Sequence, residues 1–542
     1  MNKKYILPYL KSFQSSYLIK YIICVFLFIT VICPLAAMLM HITLSDILVV
    51  IKLHKFKVSL FNSINASVIA TIISITLAWG FAYSTVSCNL RFKGFFAIFV
   101  TLPMLIPSIS HGMGLVLLLG KNGIITNLLN LNFSIYGFHG IITGSVLYSF
   151  PIAYLMIVDI LKYEDGSPYD AAEALGIPKI NQFFSITFPY LRKPLISVFF
   201  TVFTMIFTDY GVPLVIGGRY STLPVLMYEE VIGLLNFNRG SVISAFLLIP
   251  AVVAFIFDLL NRDRGNLNFI IQDKLKSKFI LRDIFATCYV SIICVIIALP
   301  LIVFLILTFI KNYPINIMNL GGGVSFKNII RTLDLGAGQF LINSIIIAFL
   351  TSFFGVILSW ITAYFTARTQ SRSSRILHLF SITSLAIPGI VLGISYVLFF
   401  NGSFIYGTLA MLILVNTTHF IAPPYLIAYN SLGKLNSNLE NVGRTLGVNR
   451  LHIILDVLIP QTKLSILEMF SYFFVNSMIT ISAVSFLSAT INRPVSLMIN
   501  QFETFLFLEG AAFVSILILF INLIVKFLLN IIGNKIKQVE LV

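Results

Sequence analysis

The sequence predicts an all-α polytopic membrane protein of about twelve transmembrane helices, arranged as two parallel repeats of six. Three observations carry this. Of the 542 residues, 58% are hydrophobic and only 10% charged, and mean hydropathy is +0.98. Apolar runs of about 20 residues recur, the length needed to cross a bilayer core. The chain also repeats itself: Asn62-Ser63, Trp79, Ala82-Tyr83, Pro107 and Gly112 return 281 residues later as Asn343-Ser344, Trp360, Ala363-Tyr364, Pro388 and Gly393. A net charge of +16 would suggest nucleic acid in a soluble protein. Here lipid is the expected surrounding and nucleic acid is not an expected partner, because Lys and Arg mark the cytoplasmic loops of membrane proteins.

The first six spans are predicted at roughly 18–40, 59–85, 94–119, 139–161, 191–213 and 240–260, and the second six at roughly 283–309, 339–366, 376–400, 404–429, 464–487 and 508–531. The first repeat is expected over 1–265 and the second over 283–542, with a basic cytoplasmic linker at 266–282. Lys3, Lys4, Lys11 and Lys20 precede an apolar run with no small-x-small cleavage site, so an uncleaved first span is expected. Placing the N-terminus inside puts 26 of the 36 Lys and Arg on inside segments and span ends. Both termini are therefore expected in the cytoplasm. Both repeats start on the same side, which makes them parallel and related by an axis along the membrane normal. Pro107 and Pro388 interrupt the third span of each half, and Pro151 and Pro423 fall within the fourth. The five cysteines have no metal-ligand spacing, and four lie in apolar runs as small buried hydrophobes.

Two polar stretches between these spans carry the strongest signal. Ser167-Pro168-Tyr169-Asp170-Ala171-Ala172-Glu173-Ala174-Leu175-Gly176 reads as a capping box, a helix of about two turns and a glycine stop, closing on Pro189. The second, Ser437 to Pro460, repeats the design with Glu440 in the capping box and Gly447 as the stop. The offset here is 271, because one outside loop is ten residues shorter in the second copy.

Asp-Ala-Ala, then Gly, then Ile-x-Phe-Pro resembles the EAA loop of binding-protein-dependent ABC importer permeases. In the second copy Asn441-Val442-Gly443 stands where the family has Glu-Ala-Ala, while Gly447 and Pro460 keep the spacing. The resemblance covers nearly the whole chain and implies a fused, duplicated type I ABC importer permease fold. It implies coupling helices near 168–176 and 438–447, with Asp170, Ala171, Ala172, Glu173, Gly176, Pro189, Glu440, Asn441, Gly443, Gly447 and Pro460 facing an ATP-binding subunit in two copies. It also implies a solute-binding protein, periplasmic or lipid-anchored, on the other side.

No phosphate cradle exists in this chain: Gly114 to Lys121 has the wrong spacing for a P-loop, and Gly321-Gly322-Gly323 reads as a flexible turn. No cofactor, catalytic residue or metal site is therefore expected on this chain, and ATP with its Mg belongs to the separate subunit. The rival class is a secondary transporter or channel working alone. Asp209 lies deep in the fifth span within Thr208-Asp209-Tyr210-Gly211, and the repeat sets Thr480 opposite it in a hydroxyl-rich stretch. In the resembled family the fifth helix lines the path, which makes Asp209, Tyr210, Thr480 and Ser482 candidates for its wall. The alternative for Asp209 is a structural carboxylate. The segment from Thr208 to Pro213 with Ile216-Gly217-Gly218 is similar to that of permeases assigned to 2-aminoethylphosphonate, with ferric-iron permeases next and thiamine permeases third.

Overall fold

The structure is a computed structural model that describes residues 18–130, 132–162, 164–261, 280–310, 325–369 and 371–540. Lys3, Lys4, Lys11, the glycine run 321–323 and all but the last three residues of the expected linker lie outside the described residues. Within them the chain is helical. Nine helices are long and apolar enough to cross a membrane, and two bent helix pairs raise that to eleven.

The difference from twelve is the eleventh span, expected over 464–487. Its helix, Lys463–Ile479, has 17 residues and ends where Thr480 turns extended, with ψ 137°. The fifth span behaves alike. It runs Ile180–Phe207 and stops before Asp209, not at 213, and a short helix Gly211–Ile216 follows. Polar residues at the break favour caps and turns over helix interiors, because they satisfy the backbone locally.

Backbone that leaves a helix at this depth must find partners. The repeated Asn-Ser pair of the second and eighth spans supplies them. Asn62 Nδ2 donates to the Ser221 carbonyl at 3.0 Å, and Ser63 Oγ accepts from Leu223 N–H at 2.7 Å. In the second copy Asn343 Nδ2 donates to the Ile491 carbonyl at 2.9 Å, and Ser344 Oγ accepts from Val495 N–H at 2.8 Å. One amide and one hydroxyl per repeat thus pin the segment that follows the fifth or eleventh span.

The prolines act as expected in the third spans and differently in the fourth. Pro107 is extended (ψ 151°) ahead of Ser108–Leu119, and across Pro388 the helices Arg372–Ala386 and Gly389–Phe400 bend by 110°. Beyond each bend a glycine permits close approach: a Cβ at Gly112 would lie 3.1 Å from the Val212 carbonyl oxygen, and one at Gly393 2.8 Å from that of Ala483. Pro151 sits inside the unbroken helix Phe138–Lys162. Pro423 instead falls in the first turn of Ala422–Lys434, beyond a 53° break after Phe420. Pro423 and Pro424 together remove two consecutive amide donors, which a continuous helix tolerates poorly.

The chain divides into two compact units. One comprises Ser45–Leu335 and Met498–Leu519, the other Met1–Leu44, Gly336–Leu497 and Phe520–Val542. In the former, the seventh span Ile280–Phe309 packs on the first repeat: Tyr289 Oη donates to the Leu77 carbonyl at 2.8 Å, and a Cβ at Gly114 would meet Pro300 at 2.7 Å. In the latter, the first span Leu18–Met40 packs on the second repeat. Tyr396 Oη donates to the Thr30 carbonyl at 2.8 Å, and Lys20 Nζ donates to Thr369 Oγ1 at 2.8 Å.

Ser63→Ala or Ser344→Ala should strand one buried amide and cost about 1–3 kcal/mol. Thermal unfolding in lipid nanodiscs should show a lowered melting temperature for both, and no change for the exposed control Ser185→Ala; equal melting of all three would remove the pinning role.

Candidate coupling helices and polar wall

The first loop helix is Ser167–Ala174 and the second Leu439–Thr445. Neither begins with the expected capping box. Asp165 Oδ1 accepts from Ser167 N–H at 3.1 Å and from Ser167 Oγ at 2.8 Å. Asn436 Oδ1 accepts from Asn438 N–H at 2.9 Å. A side-chain turn thus precedes each helix, from Asp165 two residues before Ser167 and from Asn436 one residue before Ser437, at positions again 271 apart, and it takes the place of the box expected of Ser167, Ser437 and Glu440. An Asp or Asn just ahead of each helix was the signal available in the sequence.

The expected stops hold. Gly176 has φ 68° and Gly447 φ 74°. Ile177 N–H returns to the Ala172 carbonyl, and Val448 N–H to the Gly443 carbonyl, both at 2.9 Å. These are the six-to-one bonds of a left-handed helix stop. Pro189 does not end a helix: it stands in the first turn of Phe188–Phe207. Pro460 stands in the three-residue helix Ile459–Gln461, which breaks at Thr462 before Lys463–Ile479. Each comes just after one widened turn, Phe183–Thr187 or Ile454–Leu458. A widened turn relieves the clash of a proline ring with the preceding carbonyls.

Ala172 is buried against the loop, and its counterpart Gly443 accommodates Ile453, whose Cδ1 would lie 2.3 Å from an added Cβ. Asp170 is half-buried, Ala171, Glu173 and Asn441 are exposed, and so are Pro189 and Pro460. The two helices are held differently. Tyr169 Oη donates to Glu164 and lies 2.5 Å from Thr187 Oγ1. Burial, with the Glu164 carboxylate beside it, pushes the Tyr169 phenol well above its ordinary range, so it stays protonated as a donor. The equivalent residue in the second copy, Glu440, pairs with Arg368, the last residue of Gly338–Arg368. Arg368 Nη1 and Nη2 also donate to the Leu435 and Asn436 carbonyls at 2.8 and 2.7 Å. Nearby, Arg450 Nε donates to Tyr364 Oη at 2.7 Å. Tyr364 in turn stacks on Trp360 at 5.9 Å, and Trp360 Nε1 donates to Thr462 Oγ1 at 3.0 Å.

Sequence reasoning named the polar residues and missed the apolar ones. Leu175, Ile180 and Phe184 are exposed, and so are Leu446, Leu451 and Leu455 at the positions 271 residues on. Three matched apolar side chains are thus exposed beside each loop helix.

The wall candidates fall in the two units separately. The Asp209 carboxylate accepts from Val212 N–H at 3.0 Å and Gly211 N–H at 3.4 Å, capping the short helix. This is the structural alternative. Asp209 also lines a small cavity with Ser63, Ser67, Ser145 and Thr222. The Thr222 hydroxyl is buried there with no hydrogen-bond partner. Tyr210 is buried and stacks on Tyr228 at 5.3 Å. In the other unit Thr480 is buried and its carbonyl accepts from Ser496 Oγ at 2.8 Å, while Ser482 Oγ lies 2.4 Å from where a Cβ of Gly389 would stand. The first copy reverses that contact: Ser108 Oγ lies 2.3 Å from a Cβ built on Gly211. Asn416, the counterpart of Ser145, is fully buried with neither amide atom bonded, and the buried Ser477 hydroxyl is likewise unbonded. Asn416 was not apparent from the sequence, whereas Ser477 opens the hydroxyl-rich stretch that holds Thr480.

Arg368→Met should loosen the second loop helix. Hydrogen exchange is expected to rise about tenfold across the amides of 439–446, the effect of losing about 1.4 kcal/mol of local stability; unchanged exchange would show that the helix holds without Arg368.

The description "Binding-protein-dependent transport system inner membrane component" fits the chain twice, over residues 74–262 and 355–538. The ferric transport system permease protein FbpB of Actinobacillus pleuropneumoniae is 27% identical over 87% of this chain and 71% of its own length. A putative ferric transport system permease protein FbpB 1 of Haemophilus influenzae is 27% identical over 79% of this chain and 69% of its own. A second protein of that organism, Fe(3+)-transport system permease protein FbpB 2, is 22% identical over 81% and 82%. With the family's domain matched in each repeat and covering more than half of its residues, the chain belongs to the inner membrane components of binding-protein-dependent transport systems and has their type I permease fold.

Proposed function

We propose that this permease carries a ferric iron species into the cytoplasm, driven by two copies of an ATP-binding subunit seated on its two loop helices. The observation that supports the seating is the matched triad of exposed apolar residues beside each helix, Leu175, Ile180 and Phe184 with Leu446, Leu451 and Leu455. Exposed apolar side chains next to a glycine-stopped polar helix suit a protein groove. Lys and Arg distribution supports the same side facing the cytoplasm, where ATP and its Mg are held by the partner.

The cargo reading rests on likeness to the ferric relatives, which supports iron ahead of the 2-aminoethylphosphonate favoured by the Thr208–Pro213 segment. Among the described residues no group of three or more His, Cys, Asp or Glu could hold a metal ion. The permease then acts as a transit path of hydroxyls and carbonyls, and selection falls to the solute-binding protein. A path without a tight ligand set suits release, because a hard trivalent ion held by several carboxylates leaves slowly.

Force from the ATPase would reach the two repeats by different routes. Arg368 ties the second loop helix to the eighth span, whereas Tyr169 ties the first to Thr187 at the head of the fifth.

Titration calorimetry of the partner binding protein should show ferric iron bound and 2-aminoethylphosphonate ignored; the opposite result would overturn the cargo and leave the permease class intact. Gly176→Val and Gly447→Val should each weaken ATPase attachment or stimulation severalfold without blocking membrane insertion. No atom stands within 4 Å of an added Cβ at either position, so the penalty is conformational, about 1–2 kcal/mol. Normal stimulation in both variants would refute the coupling assignment.

A further inference from the structure

Among the described residues only three other than glycine have a left-handed backbone, and two of them are leucines: Leu235 with φ 54° and Leu506 with φ 57°. They stand 271 residues apart, so they are the same position in the two repeats. Each closes a helical segment that leads into the last span of its repeat. Leu235 follows Glu229–Gly233 and precedes Phe237–Asn261, and Leu506 follows Ser496–Thr504 and precedes Leu508–Glu540. Asn236 N–H returns to the Glu230 carbonyl and Phe507 N–H to the Phe502 carbonyl, both at 2.8 Å. At Gly176 and Gly447 this chain makes its left-handed stops with glycine. Here it carries leucine, at a cost of about 1–2 kcal/mol per residue.

Burial within this chain does not offset that cost. Leu235 is 71% exposed and Leu506 82%, and the residues before them, Leu234 and Phe505, are 66% and 69% exposed. A strained and unburied apolar side chain, made twice at one position, is accounted for when something outside the chain covers it.

We infer that Leu234-Leu235 and Phe505-Leu506 are two apolar knobs on which the solute-binding protein seats. Their surroundings argue for a protein and against lipid. Residues on either side of the first knob in the chain make the exposed pair Lys55–Glu229, at 2.6 Å, and the pair of half-exposed Arg239 with buried Glu230, at 3.7 Å. Arg331 lies 4.5 Å from the ring of Phe507 beside the second. Exposed apolar residues close to exposed ions are the composition of a protein interface, whereas hydrocarbon would have to strip water from the exposed Lys55–Glu229 pair. Position agrees. Ile180–Phe207, a helix of 28 residues and so roughly 42 Å long, lies along the chain between the first loop helix and the first knob. The knobs then face away from the ATPase, and both belong to the same compact unit. The inference rests on the orientation proposed above.

Leu235→Gly, Leu506→Gly and the double variant test it, because glycine removes the side chain and relieves the strain together. In nanodiscs with the ATP-binding subunits, melting temperature and basal ATPase should be unchanged or raised. The Kd for the iron-loaded binding protein should weaken about threefold in each single variant and tenfold or more in the double. Stimulation should return when the binding protein is raised in proportion. Wild-type affinity in the double variant would overturn the knobs, as would unchanged affinity with altered melting only in lipid, the mark of a lipid contact. If the unmodified complex neither binds nor responds to the binding protein, the importer reading itself falls and the knobs with it.

Discussion

Non-helical backbone at membrane depth is the constraint on which the rest of this structure depends. The segments after the fifth and eleventh spans leave the helix, and in hydrocarbon each unpaired amide or carbonyl is costly. The Asn-Ser pairs of the second and eighth spans meet that demand with one donor and one acceptor each. Asp209 meets a further part of it in the first copy by capping Gly211–Ile216. The third spans, interrupted at Pro107 and Pro388, then pack against this irregular backbone through Gly112 and Gly393.

The two copies solve the same packing problem with side chains exchanged. Where the third span meets the segment beyond the fifth, Ser108 faces Gly211, while Gly389 faces Ser482 in the second copy. One hydroxyl fits into each contact, and which strand of the contact carries it is immaterial to the space available. The loop helices show the same freedom. Tyr169 is held by Glu164 and Thr187, and Glu440 by Arg368, yet both helices end at a left-handed glycine and present three apolar residues at matched positions. What is common to the two loop helices is the glycine stop and the exposed face; the internal fastening differs.

Glycine and leucine mark opposite uses of the left-handed turn. Gly176 and Gly447 make it without strain, as a stop requires. Leu235 and Leu506 keep a side chain that the turn itself disfavours, so the conformation serves to present that side chain.

The sequence alone determined the class, the duplication, the glycine stops and the place of the loop helices, because each follows from local chemistry: apolar length, offset, and the conformational freedom of glycine. It also located the Asn-Ser pairs and Asp209 without their roles. Those roles were decided by the tertiary structure, since a hydrogen bond between Ser63 and Leu223 joins residues 160 apart and leaves no local pattern. The same holds for the eleventh span. Composition reads 464–487 as one apolar run, and only the contacts available to Thr480 and its neighbours end the helix at Ile479. The exposed triads and the leucine knobs needed the structure for a different reason: an apolar residue in an apolar sequence declares neither burial nor exposure until its neighbours are in place.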